Sequence, residues 1–313
     1  MTDGLLRASG LRCTRKRLRD AIADIDPDGN VIRKLKRLKR RQYSVPGTHY
    51  LWHMDGCHKL IKYGFVVHTC IDGYSRYIVY TTCSDNNRAN TVLTHFKKGS
   101  KELKTLPRRV RSDKGGENMN VCRLMFDIFG TDTDCFITGK STGNQKVERV
   151  HRDGTEKALE PYIILFAYFV EEGLDLDNPR HMYVLHFLFH ARINESLLQF
   201  KTAWNNHKVR TLSNLSPIQI LTLNEMTNNN YGIQLEGDEL SLLSDNNDFE
   251  DVVHGENQVV CESRYNPFTA AQSTQFSALV SPLTLSDLIS GEYHQTLFIS
   301  FLRALQIANT ILG

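Results

Sequence analysis

Between residues 50 and 138 the chain alternates short, strand-like apolar runs with longer segments of helical periodicity, and this alternation strongly limits its fold. Five runs are predicted as strands: 51–60, 64–72, 78–83, 108–112 and 135–138. Two intervening segments, 90–103 and 121–129, space their apolar residues as helices do. Strands that alternate with helices predict an α/β fold, a sheet covered by helices.

The short turn Asp72-Gly-Tyr-Ser75 joins the second and third predicted strands. A turn this short favours an antiparallel hairpin, so we expect a mixed sheet of five strands. Further helices are predicted at 181–205 and around 217–223.

A helix is predicted directly after the fifth strand. Thr142 and Gln145 have the spacing of a capping box, which marks a helix start. From that start, Val147 and Val150 face the core and Glu148 lies in the second helical turn.

The net charge of +3 over 313 residues hides a segregation of charge along the chain. Residues 1–50 hold 13 Lys or Arg against five Asp or Glu, whereas 222–257 contain no Lys or Arg at all. The N-terminal end therefore suits a polyanion such as DNA, and the acidic segment repels one.

The N-terminal arm is predicted to start with a turn at Gly10 and a helix capped by Thr14. Leu18, Ile22 and Ile25 share one helical face and the other face is basic, as in the second helix of a helix-turn-helix or in a solvated basic helix. A basic tract follows, for which phosphate contact is favoured over a nuclear address or a solvated linker. The arm residues expected to contact DNA are Arg15, Lys16, Arg17, Arg33, Lys34, Lys36, Arg37, Lys39, Arg40 and Arg41.

Several protein classes are disfavoured. The apolar runs 162–170 and 297–312 are shorter than the roughly 20 residues that a bilayer span needs. No secretory signal is recognisable, so we expect a reducing compartment, with the nucleus as the location. The seven cysteines form no Cys-x-x-Cys pair, and buried thiols are expected in place of a zinc finger.

Three acidic residues stand out by their placement: Asp55 inside the first strand, Asp113 just after the fourth, and Glu148 on a helix. A carboxylate inside an apolar strand is costly to bury without a cation or strong donors. If the first and fourth strands are neighbours, Asp55 and Asp113 approach one another.

Oxygen ligands of this kind suit Mg²⁺ or Mn²⁺, and two such ions about 4 Å apart can clamp a phosphodiester.

Each acidic residue also has a structural alternative. Asp55 could pair with His53 or Lys59. Asp113 could cap the turn that follows it, and Glu148 could bridge to Arg152 four residues later.

Three segments of the sequence resemble the acidic blocks of the integrase catalytic core, the DDE type of the RNase H-like superfamily. They are Leu51-Trp-His-Met-Asp-Gly, Arg111-Ser-Asp-Lys-Gly-Gly-Glu-Asn and Asn144-Gln-Lys-Val-Glu-Arg, with 34 residues between Asp113 and Glu148. The segment Trp204-Asn-Asn-His-Lys-Val-Arg with Ser216-Pro217 is similar to the motif that closes this core. With Cys83-Ser-Asp-Asn-Asn87, the blocks also resemble integrase-core proteins of animal genomes that derive from mobile elements.

This resemblance implies a DNA strand-transfer enzyme in which Asp55, Asp113 and Glu148 hold two Mg²⁺ or Mn²⁺ ions. It also implies a homo-oligomer acting on DNA, with no membrane and no small-molecule cofactor. Further residues are implied as nucleic-acid contacts: Lys114, Asn118, Asn144, Gln145, Arg149 and Arg152. Two alternatives stay open, a catalytically silent DNA-binding protein derived from a mobile element, and a nuclease that only hydrolyses.

The predicted organisation has three parts: a basic helical arm and linker over 1–44, an RNase H-like catalytic core over 45–223, and a weakly defined C-terminal extension over 224–313. This extension is predicted to hold an acidic, Asn-rich linker and a terminal amphipathic helix over 285–312, of unknown role. The paired His and Cys of a retroviral N-terminal zinc module do not occur before Asp55. His181, His186 and His190 have spacings unlike a metal site and are predicted as hydrogen-bonded core histidines.

Overall fold

The structure, a computed structural model, describes residues 13–26, 45–139, 145–227, 229–237, 243–244, 249, 259–263, 265–287 and 293–313. The chain divides into two units, Met1–Ser44 and Val45–Gly313, each described by itself below. The basic tract 33–41 and the predicted cap Thr142 lie outside the described residues.

In the first unit, helix α1 spans Arg15–Ile25 and begins where the sequence predicts. The Thr14 side chain caps it by accepting a hydrogen bond from the Arg17 backbone N–H at 3.4 Å. Leu18 and Ile22 are half-buried, whereas Lys16 and Arg17 are exposed. The predicted apolar face is therefore partly buried at Leu18 and Ile22, whereas Ile25, the third residue assigned to it, is 83% exposed.

The second unit is built on a mixed five-stranded sheet, as predicted. Its strands are β1 Leu51–Cys57, β2 Val66–Asp72, β3 Ile78–Ser84, β4 Arg109–Ser112 and β5 Phe136–Thr138. They lie in the order β3-β2-β1-β4-β5. β1, β2 and β3 pair antiparallel, whereas β4 pairs in parallel with both β1 and β5.

Helices cover both faces of this sheet. They are α2 Ala89–Leu103, α3 Met119–Phe129, α4 Gln145–Gly154, α5 Glu160–Glu171, α6 Pro179–Asn206, α7 Pro217–Met226, α8 Ala270–Leu279 and α9 Tyr293–Leu312. Consecutive residues of the buried strand β2 point to opposite faces: Cys70 packs with α2 and α3, and Ile71 packs with α5, α6, α8 and α9. The sheet therefore separates two hydrophobic cores.

Helix α6 protects strand β3, one of the two edge strands of this sheet. The Asn205 side chain accepts from the Ile78 N–H at 2.8 Å and donates to the Ile78 carbonyl at 3.1 Å. The Asn194 side chain likewise accepts from the Cys83 N–H at 2.9 Å and donates to the Cys83 carbonyl at 3.1 Å. These amides satisfy backbone groups that an unprotected edge strand would offer to another chain.

The C-terminal residues pack on this core in three places. Ile233–Gln234 pairs antiparallel with Thr105–Leu106. Residues 259–263, which we call the strap, lie against the loop before α2, and α8 and α9 pack on α5 and α6. The short ladder and helices α5 and α8 are additions that the sequence pattern did not predict.

The cysteines and core histidines are as predicted. All seven cysteines are free thiols, and most are buried. His186 and His190 each bond a backbone carbonyl, at 2.8 and 3.0 Å, and His181 accepts from the Asp175 N–H at 3.1 Å. Among the described helices, none combines the length and apolar character needed to cross a bilayer.

Candidate active site

Asp55 lies on β1, and Asp113 directly follows β4, the parallel neighbour of β1, as the sequence analysis required. His53 of β1 stands opposite Arg111, near the end of β4. Continuing this register by two residues on each chain brings Asp55 opposite Asp113. Both carboxylates therefore lie toward the same edge of the sheet, because parallel strands end on the same side.

Asp113 is held by the turn that follows it. Its Oδ1 accepts from the Gly115 N–H at 3.2 Å and from the Asn118 side-chain amide at 3.1 Å. The same Asn118 nitrogen lies 3.4 Å from Glu117 Oε1. Asp113 therefore caps the turn, as the structural alternative predicted, and Oδ2 is left out of these bonds.

Asp55 is largely buried, with a side chain that is 20% exposed. Its Oδ1 accepts from the Gly56 N–H at 3.0 Å, and its Oδ2 lies 3.5 Å from Nδ1 of His151. Burial, and then the charge of Asp113, raises the pKa of Asp55 from 3.8 to about 7. Glu148 and Glu117 add smaller increases, whereas the Gly56 hydrogen bond lowers the pKa.

Helix α4 brings Glu148 toward this pair. Val147 and Val150 are buried in the core, as predicted, so the helix is anchored by its apolar side. Glu148 is exposed, and its charge contributes to the raised pKa of Asp55. Asp113 and Glu148 therefore both lie within electrostatic range of Asp55.

Arg149 and Arg152 of α4 point to solvent. Nε of Arg149 lies 3.8 Å from Asp153, and Nε of Arg152 lies 3.6 Å from the same carboxylate. Arg152 thus pairs with Asp153, whereas the structural alternative had suggested Glu148. Both guanidinium groups stay mostly exposed, which leaves them available to a polyanion.

His58, His68 and His151 lie within electrostatic range of one another, and His151 contacts Asp55. The sequence analysis did not assign these histidines to the site. Burial, followed by the charges of His58 and His68, lowers the pKa of His151 to about 4. Burial also lowers the pKa of His68 to about 4 and that of His58, although Asp113 opposes the shift at His58. The sequence feature that could have placed His151 near the site is its spacing, since it follows Glu148 by three residues on one helix.

The remaining residues predicted to contact nucleic acid differ in their exposure to solvent. Lys114 is exposed beside Asp113, whereas Asn118 is buried and bonded to it. Asn144 and the Gln145 side chain lie outside the described residues.

The donor set fits a hard divalent cation in its chemistry. Burial, and then repulsion by neighbouring carboxylates, raises the pKa of Asp55, and a bound cation would relieve the repulsion. Within the described ranges, however, no three His, Cys, Asp or Glu side chains are grouped closely enough to hold one metal ion. Residues 140–144, which precede Glu148 in the chain, are not among those ranges.

Solved structures similar to this chain include retroviral integrase catalytic cores. The HTLV-2 integrase core in complex with magnesium (trimeric form) is 17% identical, with a TM-score of 0.35, over 56% of this chain and 97% of that chain. The BIV integrase core is 17% identical, with a TM-score of 0.38, over 57% and 98%. The simian T-cell lymphotropic virus intasome in complex with PP2A regulatory subunit B56 gamma is 16% identical, with a TM-score of 0.38, over 57% and 56%.

No curated protein sequence matches the chain. A family model described as integrase core domain matches residues 42–233. This match includes all five strands of the mixed sheet. It also includes Asp55, Asp113 and Glu148. With well over half of its residues matched, the chain belongs to the integrase core domain family.

Proposed function

We propose that this protein is a DNA strand-transfer enzyme of the integrase and transposase type. Asp55, Asp113 and Glu148 form its catalytic site and hold two Mg²⁺ or Mn²⁺ ions. The nucleophile is water in the cutting step and a DNA 3′-hydroxyl in the joining step.

The observation that carries this proposal is the electrostatic coupling of the three carboxylates. Asp55 lies on β1 and Asp113 directly follows the adjacent parallel strand β4. Burial, and then the charges of Asp113 and Glu148, raises the pKa of Asp55. A purely structural role would favour a neutral residue at position 55, because a buried carboxylate among like charges is destabilising. A cation site gives this cluster a function.

When bound, two divalent ions clamp a phosphodiester and stabilise charge on its attacking and leaving oxygens. The chain itself positions the ligands. Gly115 and Asn118 hold Asp113 Oδ1 in place, and the Gly56 N–H holds Asp55 Oδ1. Preorganised carboxylates of this kind lose little freedom when a cation binds.

Contact with the DNA backbone is assigned to basic and polar side chains near the site. Arg149 and Arg152 expose their guanidinium groups on α4, and Lys114 is exposed beside Asp113. Asn144 and Gln145 precede Glu148 and would orient the substrate. The basic arm would supply sequence-independent phosphate contacts.

Joining requires two DNA ends to be held together, so a homo-oligomer is part of the proposal. A nuclear location follows from the DNA substrate.

The test supplies labelled DNA duplex ends and Mn²⁺ to the full chain and separates nicked from joined products. Asp113→Asn should abolish both products while leaving DNA binding intact, because it keeps an acceptor oxygen for Gly115 and Asn118 but removes a ligand charge. The matched control is Asp132→Asn, which changes an exposed carboxylate and should retain activity.

The products distinguish the alternatives. Joined products support strand transfer, and nicks without joining indicate a nuclease. DNA binding without either product indicates a silent binding protein, an outcome in keeping with the absence of a closely grouped three-ligand cluster among the described residues. Full activity of Asp113→Asn would contradict the proposed site.

A further inference from the structure

His151 lies between two elements of the candidate active site. It is on α4, three residues after Glu148, so the two side chains lie on neighbouring positions of the helix surface. Its Nδ1 lies 3.5 Å from Asp55 Oδ2 on β1. One imidazole thus connects the helix that carries Glu148 to the strand that carries Asp55.

This contact completes the surroundings of the Asp55 carboxylate. Oδ1 accepts from the Gly56 N–H at 3.0 Å, and His151 stands at Oδ2. The Gly56 contact comes from β1 itself, whereas the His151 contact comes from α4. The His151 contact joins this carboxylate directly to α4.

The other nitrogen of His151 makes the residue a poor choice for packing alone. Nε2 is buried and has no hydrogen-bond partner among the described residues, whose ranges omit 140–144. A buried polar atom without a partner costs stability, and an apolar ring of similar size would avoid that cost. A histidine at this position is therefore better explained by what Nδ1 does at Asp55.

We propose that His151 is a positioning residue, which sets the separation between the Asp55 and Glu148 carboxylates through its contact with Asp55 Oδ2. The inference rests on the proposed function, because this separation matters only if the two carboxylates share bound cations. Groups that orient metal ligands typically change metal affinity about 10- to 100-fold when they are replaced.

The test compares His151→Phe and His151→Asn with wild type in the full chain. Mn²⁺ binding is measured by calorimetry, and thermal unfolding is measured without metal. His151→Phe should weaken Mn²⁺ binding by about 10-fold or more, while its unfolding temperature stays the same or rises. His151→Asn keeps an N–H donor and should recover part of the affinity.

The control is His190→Phe, which replaces another core histidine that bonds the Cys83 carbonyl at 3.0 Å, away from the carboxylates. It should keep the wild-type Mn²⁺ affinity, whatever its effect on unfolding.

Two results would overturn the inference. One is a His151→Phe variant that binds Mn²⁺ as tightly as wild type does. If the wild-type enzyme is active, this result leaves the proposed function standing. The other is a parallel loss of affinity and unfolding temperature in both His151 variants, which indicates a structural role.

A metal-free measurement separates this inference from the proposed function. Amide hydrogen exchange along α4 should be faster in His151→Phe than in wild type and His190→Phe, because the link to β1 is lost. This holds even if wild type neither binds Mn²⁺ nor acts on DNA, the result that would contradict the proposed function. Unchanged exchange along α4 would overturn the link itself.

Discussion

Asn87 and Cys261 are joined through both backbone and side chain, although 173 residues separate them in the sequence. The Asn87 N–H donates to the Cys261 carbonyl at 3.1 Å, and the Cys261 N–H donates to Asn87 Oδ1 at 2.8 Å. The Asn87 side-chain amide also donates to the Val259 carbonyl at 2.7 Å. The segment Cys83-Ser-Asp-Asn-Asn87, part of the family resemblance, thus fastens the strap to the start of α2.

The first prediction concerns this attachment. Asn87→Ala removes two side-chain hydrogen bonds and leaves the buried Cys261 N–H without its side-chain acceptor, so it should lower the free energy of unfolding by about 1–3 kcal/mol. Urea unfolding measures the loss, and limited proteolysis should cut the strap faster in the variant.

Glu262→Gln is the comparison within the same strap. Glu262 pairs with Arg88 at 2.7 Å, but its side chain is 58% exposed, so the change should alter stability by less than about 1 kcal/mol. Equal effects of the two substitutions would show that the strap is not held mainly by Asn87.

The second prediction concerns pH and Asp55. The unfolded chain loses the Asp55 proton near pH 3.8, whereas the native protein loses it near pH 7. Because the native state binds the proton more tightly, this residue lowers stability as pH rises across that interval, and the full cost is present above it. Asp55→Asn removes this cost.

Without divalent ions, the stability advantage of Asp55→Asn over wild type should therefore increase as the pH rises from 4 to 7. Above that interval it should stay constant, at about 1–3 kcal/mol of unfolding free energy at pH 8. Urea unfolding at pH 5, 6, 7 and 8 measures the difference, with Asp132→Asn, an exposed carboxylate, as control. A difference that does not change with pH would contradict the raised pKa of Asp55.

The third prediction concerns the C-terminal helix α9. Phe301 is 1% exposed, and its ring lies 5.5 Å from that of Phe169 on α5. Phe301→Ala leaves a cavity and should cost about 3–5 kcal/mol of unfolding free energy.

The adjacent Leu302 is 45% exposed, so Leu302→Ala should cost less than about 1 kcal/mol. Chemical denaturation of both variants measures the contrast. A cost below 1 kcal/mol for Phe301→Ala would mean that α9 does not contribute to the stability of the core.

The sheet could be predicted because its strands carry local signals. The short turn after Asp72 predicted an antiparallel hairpin, and the structure confirms that β2 and β3 pair in this way. Strand ends were less accurate, since β1 ends at Cys57 and a short 3-10 helix follows at Ile61–Tyr63. Helix α5 was missed because its apolar residues surround it almost completely, which removes the amphipathic pattern.

The candidate site was only partly accessible from the sequence. Asp55, Asp113 and Glu148 were selected by placement and by resemblance, and their roles as ligands stay a prediction. Asn118 was assigned to DNA, yet its amide is bound to Asp113. His151 was not selected, because nothing local indicates that its ring meets a carboxylate on β1.

The sequence by itself determined the alternation of strands and helices, the mixed sheet and the segregation of charge, because periodicity and turn chemistry act over a few residues. Tertiary structure alone decided that Asp55 stands opposite Asp113, that His151 contacts Asp55, and that Asn87 holds Cys261. These contacts depend on strand register and on burial of apolar faces between distant segments, and no local pattern in the chain encodes those distances.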